Sequence, residues 1–255
     1  CMYYKFPKAR GLMIRTYNNL IRAVLSNSYS VFDSDQITQL TDRCIQHSYL
    51  NTRELMIAGY INDFERFQVR IIHTDPLHID NDETVYCGLG IESSDIGNAK
   101  LATSFYIYED MQSNGISIDA NPYANEKLYS QIHIGTNPEK IKEGLTKAIE
   151  KFPEMKENIK AYLNNATQTD LTKSGLYNPK SYNGRHMMKE LELAGKDIDT
   201  FMEILEQRPK TLKDYIMAIS QFAKQCKTEK RLFLEKTAGK ILLHPELYGI
   251  RKEEN

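Results

Sequence analysis

The chain has 255 residues, 41% of them hydrophobic and 26% charged, with 33 Lys and Arg against 34 Asp and Glu. That length and apolar content exclude disorder of the whole chain and suffice for one large core or two small ones. A net charge of -1 excludes a global attraction for nucleic acid or acidic membranes.

The charge is uneven, acidic up to residue 137 and mildly basic beyond it, a bias that solvated helix faces explain. The four cysteines, Cys1, Cys44, Cys87 and Cys226, are far apart and form no C-x-x-C, which gives no support to a zinc knuckle or a thioredoxin-like site. They read as reduced thiols of a cytoplasmic protein. No apolar run approaches the roughly 18 residues that span a bilayer, and the start CMYYKFPKARG lacks the apolar core of a signal peptide. No membrane partner is expected. Residue 1 is Cys rather than Met, which leads us to expect a segment upstream of it.

In chain order, Pro7 and Gly11 punctuate the start, and residues 17–25 fit either a strand or a short helix. Asp33 or Ser34 then offers an N-cap for an amphipathic helix carrying Ile37, Leu40, Cys44 and Ile45 at helical spacing. From 67 to 134 the period changes. The segments FQVRIIH, TVYCGLGI, KLATSFYIY, GISID and YSQIHI predict an antiparallel sheet, with turns at Asp75-Pro76, Asn81-Asp82, Gly97-Asn98 and Asn114-Gly115. Asn137 and Pro138 then open a helix with Ile141, Leu145, Ala148, Ile149 and Phe152 on one face. Further helices are predicted near 153–166, 184–194, 200–206, 211–226 and 228–243. Of these, 211–226 has the strongest apolar stripe: Leu212, Tyr215, Ile216, Ile219, Phe222, Ala223 and Cys226.

The fold class is therefore α+β, an N-terminal mainly antiparallel sheet with a flanking helix followed by a helical C-terminal region. Residues 1–166 form the α+β domain, 167–184 (TQTDLTKSGLYNPKSYNG) the linker, and 185–255 the helical region.

Catalytic signatures are absent from the sequence. It contains no G-x-S-x-G, H-E-x-x-H or G-x-x-x-x-G-K-[ST], and Cys87 to Gly90 is strand-like rather than a phosphate loop. The cluster His73, Asp75, His78, Asp80, Asp82 and Glu83 has the donors for a hard or borderline cation, but an exposed acidic turn accounts for it, and no metal or cofactor is assigned. Aromatics beside cations point instead toward base stacking: Arg15, Tyr17 and Arg22; Arg66, Phe67 and Arg70; Lys100, Tyr106 and Tyr108.

Three blocks, IRAVLSNSYSVFDSDQI, GLGIESSDIGNAKLATSFYIYEDMQSNGI and YSQIHIGTNPEKI, together resemble the phage- and plasmid-like family called domain of unknown function 932. That family has, in order, R-A-x-L-S-x-x-Y, N-S-E-x-G, C-x-N-G and His-Thr-Gly-like blocks. The counterparts here are residues 22–29, 93–97, 112–115, and His133 with Gly135, within a match spanning residues 11–149. Ser93 replaces the family's Asn, Gln112 its Cys, Glu109 an Arg and Ile132 the Arg before His, so roles of those side chains do not carry over. The resemblance implies a mobile-element setting without an established activity.

These readings favour a non-catalytic accessory protein of phage or plasmid DNA metabolism that binds or anneals single-stranded DNA, works as a homo-oligomer and acts in the host cytoplasm. The cations expected at phosphates are Arg15, Arg22, Arg66, Arg70, Lys100, Lys227, Lys230 and Arg231. The alternative is a virion or assembly protein without nucleic-acid binding. Third comes an enzyme whose Asp, Glu and His are gathered only by the fold.

Overall fold

The computed structural model describes residues 2–6, 11–48, 50–62, 66–79, 83–97, 100–111, 115–118, 120–121, 126–127, 129–131 and 138–250. The chain divides into two compact units. The first comprises Cys1–Ile72, Leu89–Ser104 and Lys127–Phe152, and the second His73–Gly88, Phe105–Glu126 and Pro153–Asn255. The strands are β1 (Met2–Phe6), β2 (Leu12–Tyr17), β3 (Leu20–Ser26), β4 (Leu55–Asn62), β5 (Phe67–His78), β6 (Thr84–Ser93), β7 (Leu101–Tyr108), β8 (Ile116–Ile118), β9 (Ala120–Asn121), β10 (Glu126–Lys127) and β11 (Tyr129–Gln131). The helices are α1 (Ser34–Gln46), α2 (Pro138–Glu150), α3 (Phe152–Gln168), α4 (Tyr182–Glu190), α5 (Lys196–Glu206), α6 (Leu212–Ala223) and α7 (Thr228–Leu243). One sheet has the order β1-β2-β3, another β11-β7-β6-β5-β4 with β8 on β7, and β9 pairs with β10. The α+β class is thus as the sequence indicates: strands with the flanking helix α1 in the N-terminal part, then a mainly helical C-terminal region.

In the first unit, β2 and β3 form an antiparallel hairpin that sequence periodicity left undecided between strand and helix. Its turn is Asn18-Asn19, with φ of 50° and 61°. Two successive positive φ values are what a tight hairpin turn requires, and Asn tolerates them better than other residues with a Cβ. Helix α1 starts where expected: the Asp33 backbone N–H donates to Gln36 Oε1 at 3.0 Å, and Ile37, Thr41, Cys44 and Ile45 line the buried face. That face packs on α2, whose own buried face is Ile141, Leu145, Ala148 and Ile149.

In the second unit, α6 is buried nearly all round, from Leu212 to Ser220 and at Phe222 and Ala223. Such a helix sits in a core rather than on it, and each fully buried large apolar side chain contributes about 1.5–3 kcal/mol. Tyr215 is edge-on to both Tyr177 and Phe201, with centroids 5.9 and 5.8 Å away. Helix α7 meets β8 at Gly239, where a Cβ would lie 2.0 Å from the Ser117 carbonyl oxygen. Gly115 is required by space as well, since a Cβ there would come 2.6 Å from Tyr106 Cδ1.

Two readings from sequence change. Asp75-Pro76 is not a turn but part of β5; the reversal comes later, closed by the Ile79 N–H donating to the Glu83 carbonyl at 2.9 Å. Residues 167–184 are not a loose linker. Leu171 and Leu176 are 1% exposed, and Asp170 bridges to Thr211. The stretch is rich in Thr, Ser, Asn, Gly and Pro, the content that suggests a linker, but its polar side chains are spent on local bonds: Thr172 N–H to Asp170, Ser181 Oγ to the Gly175 carbonyl at 2.6 Å, and Asn183 Nδ2 to the Ser174 carbonyl at 2.8 Å. Of the other turn markers, Asn81, Asp82, Asn98 and Asn114 lie outside the described residues, as does the cap Asn137. Among the described residues no helix is long and apolar enough to cross a membrane.

Candidate nucleic-acid interface

Helix α4 presents an exposed aromatic and basic stripe. The Ser181 hydroxyl caps its N-terminus by accepting from the Gly184 N–H at 2.9 Å. Gly184 is obligatory there, because a Cβ would fall 2.0 Å from the Asn178 carbonyl oxygen. Met187 and Met188, at 0% and 3% exposure, root the helix in its unit. At the C-terminal end Lys230 Nζ donates to the carbonyls of Leu191 at 2.6 Å and Glu192 at 2.7 Å, satisfying acceptors that a helix end leaves open.

With one face held so, the opposite face carries Tyr182, Arg185, His186 and Lys189, all exposed, Tyr182 at 78%. Their spacing of i, i+3, i+4 and i+7 confines them to an arc of about 100° on a helix of 3.6 residues per turn. None of the four side chains has an ion-pair or hydrogen-bond partner among the described residues. Glu190, at the margin of the arc, is the one acidic neighbour on the helix. An exposed phenol ring among unneutralised cations can stack a base while the cations meet phosphates. Apolar periodicity in the sequence predicts a helix near 184–194 and carries no sign of a functional face. The same spacing test applied to its polar residues finds the stripe.

The eight cations expected from sequence divide differently. Arg22, Lys100 and Lys227 are exposed, Arg66 is half-buried, and these remain open to solvent. Arg15 and Arg70 do not present themselves to a phosphate. Arg15 is 1% exposed, with Nη2 at 3.1 Å from Asp33 and 2.9 Å from Asp95, and Arg70 is 6% exposed with Nε donating to Gln68. Lys230 is occupied by the end of α4, and Arg231 lies 3.9 Å from buried Glu235. The first five belong to one unit and the last three to the other. Of the aromatics proposed to stack, Phe67, Tyr106 and Tyr108 are 1% exposed and belong to cores.

Arg15 anchors the first unit. Asp95 also accepts from the Ser34 N–H at 3.0 Å, so the β6–β7 connection, β2 and the start of α1 are tied together. Alongside, the Tyr29 hydroxyl donates to the Ser94 carbonyl at 3.1 Å, and Gly97, at φ of 81°, packs against Leu25 and Tyr29. Burial pushes the Tyr29 phenol up to about 12, nearby Arg15 opposing and Asp95 and Asp33 adding. Two of the sequence blocks, 22–29 and 93–97, therefore meet in space. Gln112, His133 and Gly135, from the other two, lie outside the described residues.

In the second unit a cleft of about 650 Å³ is lined by Glu83, Glu109, Arg208, Lys213, Asp214 and Gln221 among others. Its charges are paired with one another. Arg208 makes two 2.8 Å bonds to Glu109 and two, of 2.9 and 3.2 Å, to Gln221, Lys213 meets Glu83, and Asp214 accepts from the Thr211 hydroxyl at 2.6 Å. Burial holds the Lys213 ammonium below its ordinary value, with Asp214 opposing. These ion pairs brace α6.

Of the acidic cluster, Asp75 pairs with Lys156 at 2.9 Å, and that hydrogen bond holds its carboxyl below the usual range. Asp80 and Asp82 lie outside the described residues. Among the described residues no three His, Cys, Asp or Glu side chains gather to hold a metal. Comparisons with protein-family models, curated proteins and solved structures find no match to this chain.

Proposed function

We propose that the chain is a non-catalytic accessory of phage or plasmid DNA metabolism, acting in the host cytoplasm, and that it binds single-stranded nucleic acid through the exposed face of α4. The observation that carries this reading is the stripe of Tyr182, Arg185, His186 and Lys189, an accessible ring flanked by cations that no carboxylate neutralises among the described residues. With a net charge of only -1 the attraction must be local, and this face supplies it. Single strands fit better than duplex because a ring on a convex helix stacks an unpaired base without having to open a pair. The mobile-element setting rests on the sequence blocks, and the contact between 22–29 and 93–97 supports treating them as one unit of structure.

The test is co-elution in size-exclusion chromatography with a labelled single-stranded oligonucleotide, the same sequence as duplex, and a Tyr182→Ala variant. The native chain should carry the single strand into its own peak, retain less duplex, and lose most of the single strand on removal of the ring. Failure of the native chain to shift the oligonucleotide at low salt would end the reading.

A further inference from the structure

The solvent face of the β2–β3 hairpin is aliphatic. Thr16 pairs with Ile21 while Arg15 pairs with Ala23, so Arg22 is the extra residue of a bulge. Met13 and Arg15 are buried on one face of the hairpin; on the other, Ile21 and Val24, paired with Thr16 and Ile14, are 65% and 58% exposed, with Arg22 exposed between them. In the order β1-β2-β3, β3 is also the edge strand. An edge strand with exposed aliphatic side chains is one that proteins ordinarily cover or blunt.

The same unit contains an apolar pocket of about 300 Å³ between α1 and strands β4 and β5. Its walls are Ile45, Leu55, Met56, Ile57, Val69 and Ile71, with Ile57 69% exposed at its rim. Thr38 and Thr41 also line it, but their hydroxyls donate to the Ser34 and Ile37 carbonyls, which leaves the pocket few polar groups. Its one charged lining residue is Asp42, an exposed carboxylate. No hairpin residue lines it.

We propose that the hairpin of one copy of this chain, led by Ile21 at its tip with Val24 beside it on the same face, seats in the α1–β4–β5 pocket of a second copy, with Arg22 brought beside Asp42. The two surfaces match in chemistry: each is aliphatic, and each carries a single charge, of opposite sign. This interaction is independent of the α4 face. Because tip and pocket are different surfaces, the contact is heterologous and repeats, so the assembly closes into a ring or extends as a filament.

The test is analytical ultracentrifugation of the full chain and two variants with substitutions at exposed positions, Ile21→Asp in the tip and Ile57→Asp in the pocket. The native chain should self-associate beyond a dimer, and each variant alone should sediment as a monomer with an unchanged circular dichroism spectrum. An equimolar mixture of the two should form a dimer and stop there, since one good tip and one good pocket remain. Arg22→Asp and Asp42→Arg should each weaken association at least about tenfold, and the double variant should restore it. A monomeric native chain, variants that associate normally, or a mixture that stays monomeric would each overturn the proposal; loss of association in Ile21→Asp but not in Ile57→Asp would also overturn it and point to symmetric edge-to-edge pairing of β3.

Discussion

Arg15 in the first unit and Arg185 in the second show the two uses this chain makes of a cation. Arg15 sits on a strand whose side it shares with buried Met13, and two carboxylates within 3.1 Å neutralise it. Arg185 lies on a helix whose other face is buried by two methionines, and no acid reaches it among the described residues. The difference lies in the desolvation that folding imposes. A guanidinium removed from water is tolerable only when paired, and once paired it has no charge to offer a ligand; one left in water keeps its charge for a partner. Fold and function should therefore respond to mutation in opposite ways at the two positions.

The largest effect is expected at Arg15. Arg15→Met leaves Asp95 buried beside a hydrocarbon and should cost about 3–5 kcal/mol of stability in chemical denaturation, while nucleic-acid affinity of the folded fraction stays unchanged. Tyr182→Ala should do the reverse, weakening single-strand binding by about 1–3 kcal/mol with stability within about 0.5 kcal/mol of the native chain. Lys230→Met tests an intermediate case. It removes a charged donor from two carbonyls at the end of α4 and should lower stability by roughly 1–2 kcal/mol, affecting binding only as far as the helix end loosens.

The smallest effect is on pH dependence. Burial pushes the Cys87 thiol from 9.0 up to about 12 and the Tyr29 phenol from 10.0 up to about 12. The folded chain keeps protons that the unfolded chain gives up, so stability is complete below pH 9 and falls as pH rises from there to about 12. Denaturation midpoints across that range should show the decline, and Tyr29→Phe should flatten its part above pH 10.

Most of the helical region was legible in the sequence because its signals are local. Pro138 opens α2, Thr211 caps α6, and the stripe from Leu212 to Ala223 is the face that the core buries. The early strands were less legible. The Asn18-Asn19 turn lacks the Gly that usually marks a hairpin, and its flanking strands are aliphatic on the solvent side, which blurs the alternation. Residues 167–184 misled for a physical reason: Ser, Asn and Asp form compact turns by bonding their own backbone, and composition does not distinguish that from a flexible connection. At the candidate site, adjacency of cations and aromatics in sequence was a poor guide, since Phe67 and Arg70 are both buried in β5. On α4, helical spacing does identify groups that share an accessible face.

The central claim is that the α4 face binds single strands through its cations. Its most direct test is fluorescence anisotropy of a labelled single-stranded oligonucleotide titrated with the native chain and with the Arg185→Glu, Lys189→Glu variant across a range of salt concentrations. Each phosphate neutralised contributes roughly 0.7 to the slope of log affinity against log salt. The double variant should bind more weakly, with a slope shallower by about 1.4 because two phosphates are no longer neutralised, and its thermal unfolding should match that of the native chain. Equal affinity and equal slope for the two proteins would contradict the claim.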